Sequence, residues 1–347
     1  MNDKRSAKGT MKYLYVLTSD NSDSYLEQTL LSITSLRLQM PEANISLLVD
    51  DITERTLSDQ RAKILKLTNE LKSVKVDEPF NKQARSRWLK TSMRRHIEGD
   101  FLYIDGDTII ADDLSPINDL DIELGHVLDD HGYLSEYEKT RPKRLKEVKR
   151  MFRSRNFDKD FDFKVYFNGG VSFCRDCKTG HDFFNEWHRL WLHCYKLNML
   201  SDQPSLNQAN FNLGNPIKEL DGIWNCQLMH DGAMKYIHDA KVLHYFTTHV
   251  HEKFFLLANS EHTAGIKETG AIDQKTMDML KNPKYQFAPN TRIMLVDTRY
   301  TDFYDSAICG AAKRIYHSKI GIFMEYVLSK IKKHIFTPLR KKLFKRT

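Results

Sequence analysis

The sequence predicts an α/β fold: a mostly parallel central sheet flanked by helices, with a C-terminal helical basic extension. Two observations carry the sheet. Short apolar runs rich in aromatic and β-branched residues alternate with amphipathic stretches through the first third of the chain. Parallel strands joined by right-handed crossovers are the natural product of that alternation. A third observation carries the extension. From Lys330 onward come Lys330, Lys332, Lys333, Arg340, Lys341, Lys342, Lys345 and Arg346 with no acidic residue, interleaved with Ile331, Ile335, Phe336, Leu339, Leu343 and Phe344.

Tyr13 to Leu17 is the first strand expected, and Ser22 or Asp23 caps a helix to about Met40, with Leu26, Leu30, Ile33 and Leu36 on one face. Pro41 ends it. Ile45 to Asp50 is the second strand, Thr53 to Leu71 a second amphipathic helix, and Val74 to Val76 a short third strand. A basic helix from about Ala84 to Ile97 leads into the strand Phe101 to Asp105. Beyond it, strands are expected at His126–Asp130, Tyr166–Phe173 and Lys241–Phe246. Helices are expected at Thr179–Leu197 and from Asp202. Leu134 to Asp162 is dense in charge and poor in periodic apolar positions. The segment fits an acceptor-side lid or a solvated charged helix. The stretch from Phe254 to Asp305 has no clear periodicity.

The 347 residues are enough to bury a large core, and 41% hydrophobic with 29% charged residues fits a folded body. The formal charge of +7 resides in the tail, so the body is near neutral and no nucleic-acid partner is expected. Met1 to Thr10 is polar, and no run is long and apolar enough to span a bilayer. Five scattered cysteines argue for a reducing cytoplasm. The tail's mixture of cations and bulky apolar residues fits an anionic membrane surface, hence a peripheral position on the inner face of the cell membrane.

Four segments bear on chemistry. In Phe101-Leu-Tyr-Ile-Asp-Gly-Asp107 an apolar strand ends in two carboxylates one residue apart, which an extended chain points to the same side. Hard oxygen ligands at a strand's carboxyl end suit Mg²⁺ or Mn²⁺ holding diphosphate oxygens, and Gly106 allows close approach. The same residues also fit a plain turn. Tyr166-Phe-Asn-Gly-Gly-Val-Ser-Phe173 places Gly169 and Gly170 inside a strand pattern beside Asn168, which fits a ligand against backbone or a simple hairpin. In Ser201-Asp202-Gln203, capping explains Ser201 and, in part, Asp202, but nothing structural requires Gln203. His244, on a strand, can complete a metal site or sit as an ordinary core histidine. Cys174 and Cys177 lack a second pair for zinc, and Phe183, Phe184, Trp187, Trp191 and Tyr195 have the spacing of a core stripe.

Taken in order, Ile104 to Asp107, Phe167 to Val171, Asp202 to Asn207 and His244 resemble the nucleotide-diphospho-sugar transferases of the GT-A fold, most closely glycosyltransferase family 8. The resemblance covers roughly Lys12 to Phe246. It implies a Mn²⁺-type ion on Asp105, Asp107 and His244, uridine diphosphate as the commonest leaving group, and hexose transfer to a glycan or lipid-linked glycan acceptor, such as lipopolysaccharide or capsule. It implies donor contacts at Thr18, Ser19, Asp20, Arg87, Lys90, Gly106, Gly169 and Gly170, with Asn168, Asp202 and Gln203 on the sugar and acceptor side. Residues 1–11 are then a disordered start, 12–260 the catalytic domain and 261–347 the extension. A retaining outcome follows from the family, although no residue stands out as base or nucleophile. After its metal-binding His the family continues with Gly and Lys-Pro-Trp. This chain reads Tyr245-Phe-Thr-Thr-His-Val-His-Glu-Lys253, leaving His249, His251 or Lys253 to take over the clamp. A binding protein without turnover and a sugar-phosphate nucleotidyltransferase share the fold. The latter's Gly-rich loop is missing from Thr18 to Ser22.

Overall fold

The computed structural model describes residues 11–76, 79–157, 161–246, 255–287, 307–316 and 318–331. Its central sheet has strands β1 (Lys12–Leu17), β2 (Asn44–Asp50), β3 (Glu70–Val74), β4 (Phe101–Ile104), β6 (Leu124–Leu128), β7 (Phe167–Cys174) and β8 (Lys218–Glu219), in the order β3-β2-β1-β4-β7-β6-β8. The pairs β1–β2, β2–β3, β1–β4 and β6–β8 are parallel, and β7 runs antiparallel to both β4 and β6. β4 and β7 are buried along their whole length, and β4 accordingly reads as a continuous apolar run and not an alternating one. A second sheet holds β5 (Thr108–Ile110), β9 (Cys226–Gln227) and β10 (Val242–His244), in the order β5-β10-β9. The helices are α1 (Tyr25–Gln39), α2 (Asp51–Glu54), α3 (Lys82–Ser92), α4 (Tyr137–Thr140), α5 (Pro142–Arg153), α6 (Lys178–Lys196), α7 (Gln203–Asn212), α8 (Ser260–Thr269) and α9 (Gln274–Lys281), followed by α10 (Ala307–Tyr316) and α11 (Lys319–Ile331).

Helix α1 is buried on most sides and carries serines where it meets strands. Ser35 Oγ accepts from the Ile110 amide at 2.8 Å, and Ser32 Oγ lies 2.8 Å from Thr108 Oγ1. These contacts fix β5, and therefore the chain just after Asp107, against the helix. The aromatic stripe of α6 is core: Phe183, Phe184, Trp187 and Trp191 are fully buried.

The structure departs from the sequence expectations in three places. The helix expected over Thr53–Leu71 is a single turn, α2, followed by a 3-10 segment at Arg61–Leu67. Between them Asp59 takes a left-handed φ of 48°, which stops a helix. The third strand is Glu70–Val74, not Val74–Val76. It is a half-exposed edge whose polar residues pair outward, Glu70 with Lys12 at 2.8 Å, so it lacks the apolar signature of a buried strand. The charged stretch Leu134–Asp162 contains α5, whose Val148 and Phe152, four apart, are buried among Phe157, Phe161 and Tyr166. Helices α8 and α9 pack on α1, and the first compact unit runs to Arg292. The second unit, Ile293–Thr347, contains α10 and α11. Residues 1–10, the clamp candidates His249, His251 and Lys253, and most of the basic tail lie outside the described residues.

Candidate active site and metal centre

Asp105 follows β4, Asp107 precedes β5, and β10 returns antiparallel to β5 with His244 opposite Thr108. Two sheets thus bring three candidate ligands together: ligand atoms of Asp105, Asp107 and His244 lie within 4.8 Å of one another. His244 Nε2 is 3.2 Å from Asp107 Oδ1. The imidazole is buried and stacked on Phe246, with ring centroids 3.9 Å apart.

Hydrogen bonding fixes which face of His244 is available. The Gly170 amide, a donor without ambiguity, gives its proton to Asn168 Oδ1 at 2.8 Å. Asn225 Nδ2 donates to that same oxygen at 2.9 Å, which turns Asn225 Oδ1 toward His244 Nδ1, also at 2.9 Å. That nitrogen must donate, so in the neutral ring the lone pair is on Nε2, aimed at Asp107. A divalent cation at this place would take up that lone pair. Two carboxylates and one imidazole with its outer nitrogen tied down form a donor set suited to Mn²⁺ or Mg²⁺. Asp107 is partly buried, which opposes ionisation, yet neighbouring His244 outweighs that desolvation and holds the carboxyl below the usual carboxylate range.

Gly170 is required by this packing. A Cβ there would lie 2.3 Å from His244 Cε1 and 3.0 Å from Asn168 Oδ1. Gly106 is similarly confined, since its Cβ would meet Thr29 Oγ1 at 2.4 Å. Gly169 is not: its nearest neighbour would be Leu206 Cδ1 at 3.5 Å, an ordinary contact.

On the other side of Asp105, Lys90 Nζ donates to both carboxylate oxygens, at 3.0 and 3.2 Å, and the Tyr103 hydroxyl donates to Oδ1. Burial and that carboxylate push the Tyr103 phenol well above its usual range. Lys90 Nζ also lies 3.7 Å from Asp202 Oδ2, while Arg87 Nε lies 3.1 Å from Asp202 Oδ1. Buried Asp202 stays charged because Lys90 and Arg87 override its desolvation, and Asp202 in turn raises the Arg87 guanidinium. Asp202 is the N-cap residue of α7 and Gln203 its first residue. Asn168 Nδ2 donates to Asp129 Oδ1 at 3.0 Å and lies 3.5 Å from Gln203 Oε1. Asn207 clamps α7 to β7 by accepting from the Phe167 amide at 2.6 Å and donating to its carbonyl at 3.0 Å.

A cavity of about 520 Å³ opens at the carboxyl end of β1. It is lined by Thr18, Tyr25, Lys82 and Arg87 at one side and by Asp105 to Asp107 at the other. Thr18 Oγ1 is buried with no hydrogen-bond partner, a hydroxyl left for a ligand. Ser19 and Asp20 hold the loop instead of lining the cavity. Ser19 Oγ donates to Asp23 at 2.7 Å, and Asp20 Oδ2 pairs with Lys82 at 2.7 Å. The sequence reading did not single out Asn225, Asp129, Tyr103, Tyr25 or Lys82. Tyr103 had a signal, since it shares a strand face with Asp105. Asn225 had none, because a 3-10 turn places it.

Fold and site together define a GT-A type sugar-nucleotide transferase architecture: a mostly parallel sheet with an acidic pair at a strand end. The family model for glycosyl transferase family 8 matches residues 16–250, over half the chain. The chain belongs to glycosyl transferase family 8 and is a glycosyltransferase. Its fold is similar to that of the galactosyltransferase LgtC, solved with donor and acceptor sugar analogs, at 15% identity and TM-score 0.51, covering 76% of this chain and 98% of that one. The glycosyltransferase GlyE of Streptococcus pneumoniae aligns at 19% identity and TM-score 0.47 over 80% of this chain and 65% of that one. Mouse xyloside xylosyltransferase 1 aligns at 15% identity and 0.44 over 68% and 98%. Among curated proteins, none matches the sequence. The nucleotidyltransferase alternative gives way to the family match.

Proposed function

We propose that the protein transfers a hexose from a nucleotide-diphosphate sugar, with uridine diphosphate as leaving group, to a glycan or lipid-linked glycan, retaining the anomeric configuration. The observation that supports this most is the relay from the Gly170 amide through Asn168 and Asn225, which leaves His244 Nε2 facing Asp107 as a ligand. Asp105, Asp107 and His244 would hold Mn²⁺ or Mg²⁺. When bound, the ion offsets the negative charge that develops on the departing diphosphate. Thr18 and Tyr25 line the nucleoside end of the cavity, and Arg87 and Lys90 bring positive charge between cavity and sugar. Asn168, Asp202 and Gln203 orient the sugar and acceptor hydroxyls. Gly169 and Gly170 let the donor approach the β7 backbone.

The test is release of uridine diphosphate from a panel of its sugars, with Mn²⁺ and with chelator. Metal-dependent release with one sugar, and its loss in Asp107→Ala, is the expected result. Turnover that ignores both changes would overturn the reading. Product anomeric configuration, read by NMR, tests retention.

The same reading places the enzyme on the inner membrane face. Among the described residues no helix is long and apolar enough to cross a membrane. Helix α11 exposes Ile320, Ile322, Phe323, Tyr326 and Leu328 just before the basic tail, which supports a surface attachment. Cosedimentation with phosphatidylglycerol vesicles should fall when residues 330–347 are removed.

A further inference from the structure

The stretch 138–155 holds nine basic residues and only two acidic ones, in a body that is otherwise acidic on balance. Its helix α5 has a fixed orientation. Val148 and Phe152 are buried, so the opposite side presents Lys143, Lys146 and Arg150 to solvent at helical spacing. The one acidic residue of α5, Glu147, is taken by Arg144 at 3.0 Å, and among the described residues no ion pair engages Lys143, Lys146 or Arg150. A solvated charged face would end there, but this one is wired into the site. Arg144 turns inward to Asp129 Oδ2 at 2.6 Å, and Asp129 Oδ1 accepts from Asn168. Arg141 pairs with the neighbouring Asp130. Among the described residues, none from 129–166 lines the cavity beside β1.

We propose that α5 is the acceptor-docking surface and that the acceptor is a polyanionic glycan, bearing phosphate or carboxylate groups near the accepting hydroxyl. This rests on the transferase reading above and adds the class of acceptor. Unpaired cations in a row raise the local concentration of an anionic ligand, and the effect weakens with salt. Arginine and lysine together suit multivalent oxyanions. Arg144 and Asp129 connect that surface to Asn168, so a glycan held on α5 has its reacting end near the sugar-side residues.

The test compares the full chain with K143E/K146E/R150E, and with the milder K143Q/K146Q/R150Q should the reversal unfold. The probe is the glycolipid fraction of the producing cells, offered untreated, phosphatase-treated and carboxyl-reduced. At low salt the wild type is expected to bind the untreated fraction at least about tenfold more tightly than one of the stripped fractions, which names the anionic group. The charge variants should lose that difference, with metal-dependent donor hydrolysis unchanged. Equal binding of all fractions, equal binding by wild type and variants, or no binding by wild type would overturn the proposal. So would an equal loss of affinity for plain phosphatidylglycerol vesicles, which would make α5 a lipid surface. Absence of donor hydrolysis in the wild type would instead strike the transferase reading.

Discussion

Replacing Asn225 by alanine isolates the contribution of a residue that touches neither ion nor sugar. Asn225 is fully buried and spans two hydrogen bonds of 2.9 Å, one to Asn168 and one to His244. Truncation removes both, at about 0.5–1.5 kcal/mol each, and leaves His244 Nδ1 without its acceptor. The ring is then free to change tautomer or turn, so the Nε2 lone pair is no longer committed to Asp107. Losing such an outer partner of a metal-bound histidine typically weakens metal affinity by about 10- to 100-fold. Free Mn²⁺ measured by electron paramagnetic resonance during titration reads that loss directly, without activity. Asn225→Asp keeps an acceptor for Nδ1 and should retain more affinity than the alanine variant. An Asn225→Ala protein that is folded by circular dichroism and binds Mn²⁺ like wild type, while His244→Ala does not, would refute the relay.

Asp105→Ala and Asp107→Ala should each cut metal-dependent turnover by at least about a hundredfold with far-ultraviolet circular dichroism unchanged, because both carboxylates point at the centre and not into the core. Gly170→Ala should lose Mn²⁺ affinity in the same titration, since its Cβ would fall 2.3 Å from the His244 ring, whereas Gly169→Ala should bind nearly normally. Mn²⁺ affinity should fall as pH drops below neutrality, because imidazole and carboxylate ligands bind a metal only when deprotonated. Stability should fall too. His126 is buried, its pKa pushed down to about 4 by desolvation, so the folded form resists protonation that the unfolded form accepts. That contribution is full above the unfolded value near 6.5, declines as pH falls toward about 4, and amounts to about 3 kcal/mol across the window. Melting temperature followed from pH 7 to 4 should drop less in a folded His126→Gln protein than in wild type.

The parts of this molecule legible in the sequence are those where one physical signal acts alone. Buried parallel strands announce themselves by unbroken apolar runs, so β1, β2 and β4 sit within a residue or so of expectation. Asp105 and Asp107 were legible because an apolar strand running into two carboxylates one residue apart stands out in the sequence, although both lie in the bend between β4 and β5 and not in a strand. Edge strand β3 was missed because exposure replaces apolar residues with Glu70 and Lys72. The failed helix after β2 reflects a local competition: Thr56 Oγ1 donates to the Thr53 carbonyl at 2.7 Å, and Asp59 goes left-handed, so amphipathic spacing loses to turn chemistry. Asn225 and Asp129 were hidden for a different reason. They reach Asn168 through tertiary packing between segments far apart in the chain, and nothing in their own neighbourhoods marks them.

Asp105 hangs from the large sheet and His244 from the small one, which makes the junction between sheets the place where a cation would be gripped. A bound ion would therefore act as a rivet between two layers whose backbone ladders are separate. Its stabilisation grows with the logarithm of concentration over Kd, roughly 2.7 kcal/mol at a hundredfold excess. Amides of Val242 to His244 should then exchange with solvent sooner in chelator than those of β4, with the three-stranded layer loosening while the larger one stays shut.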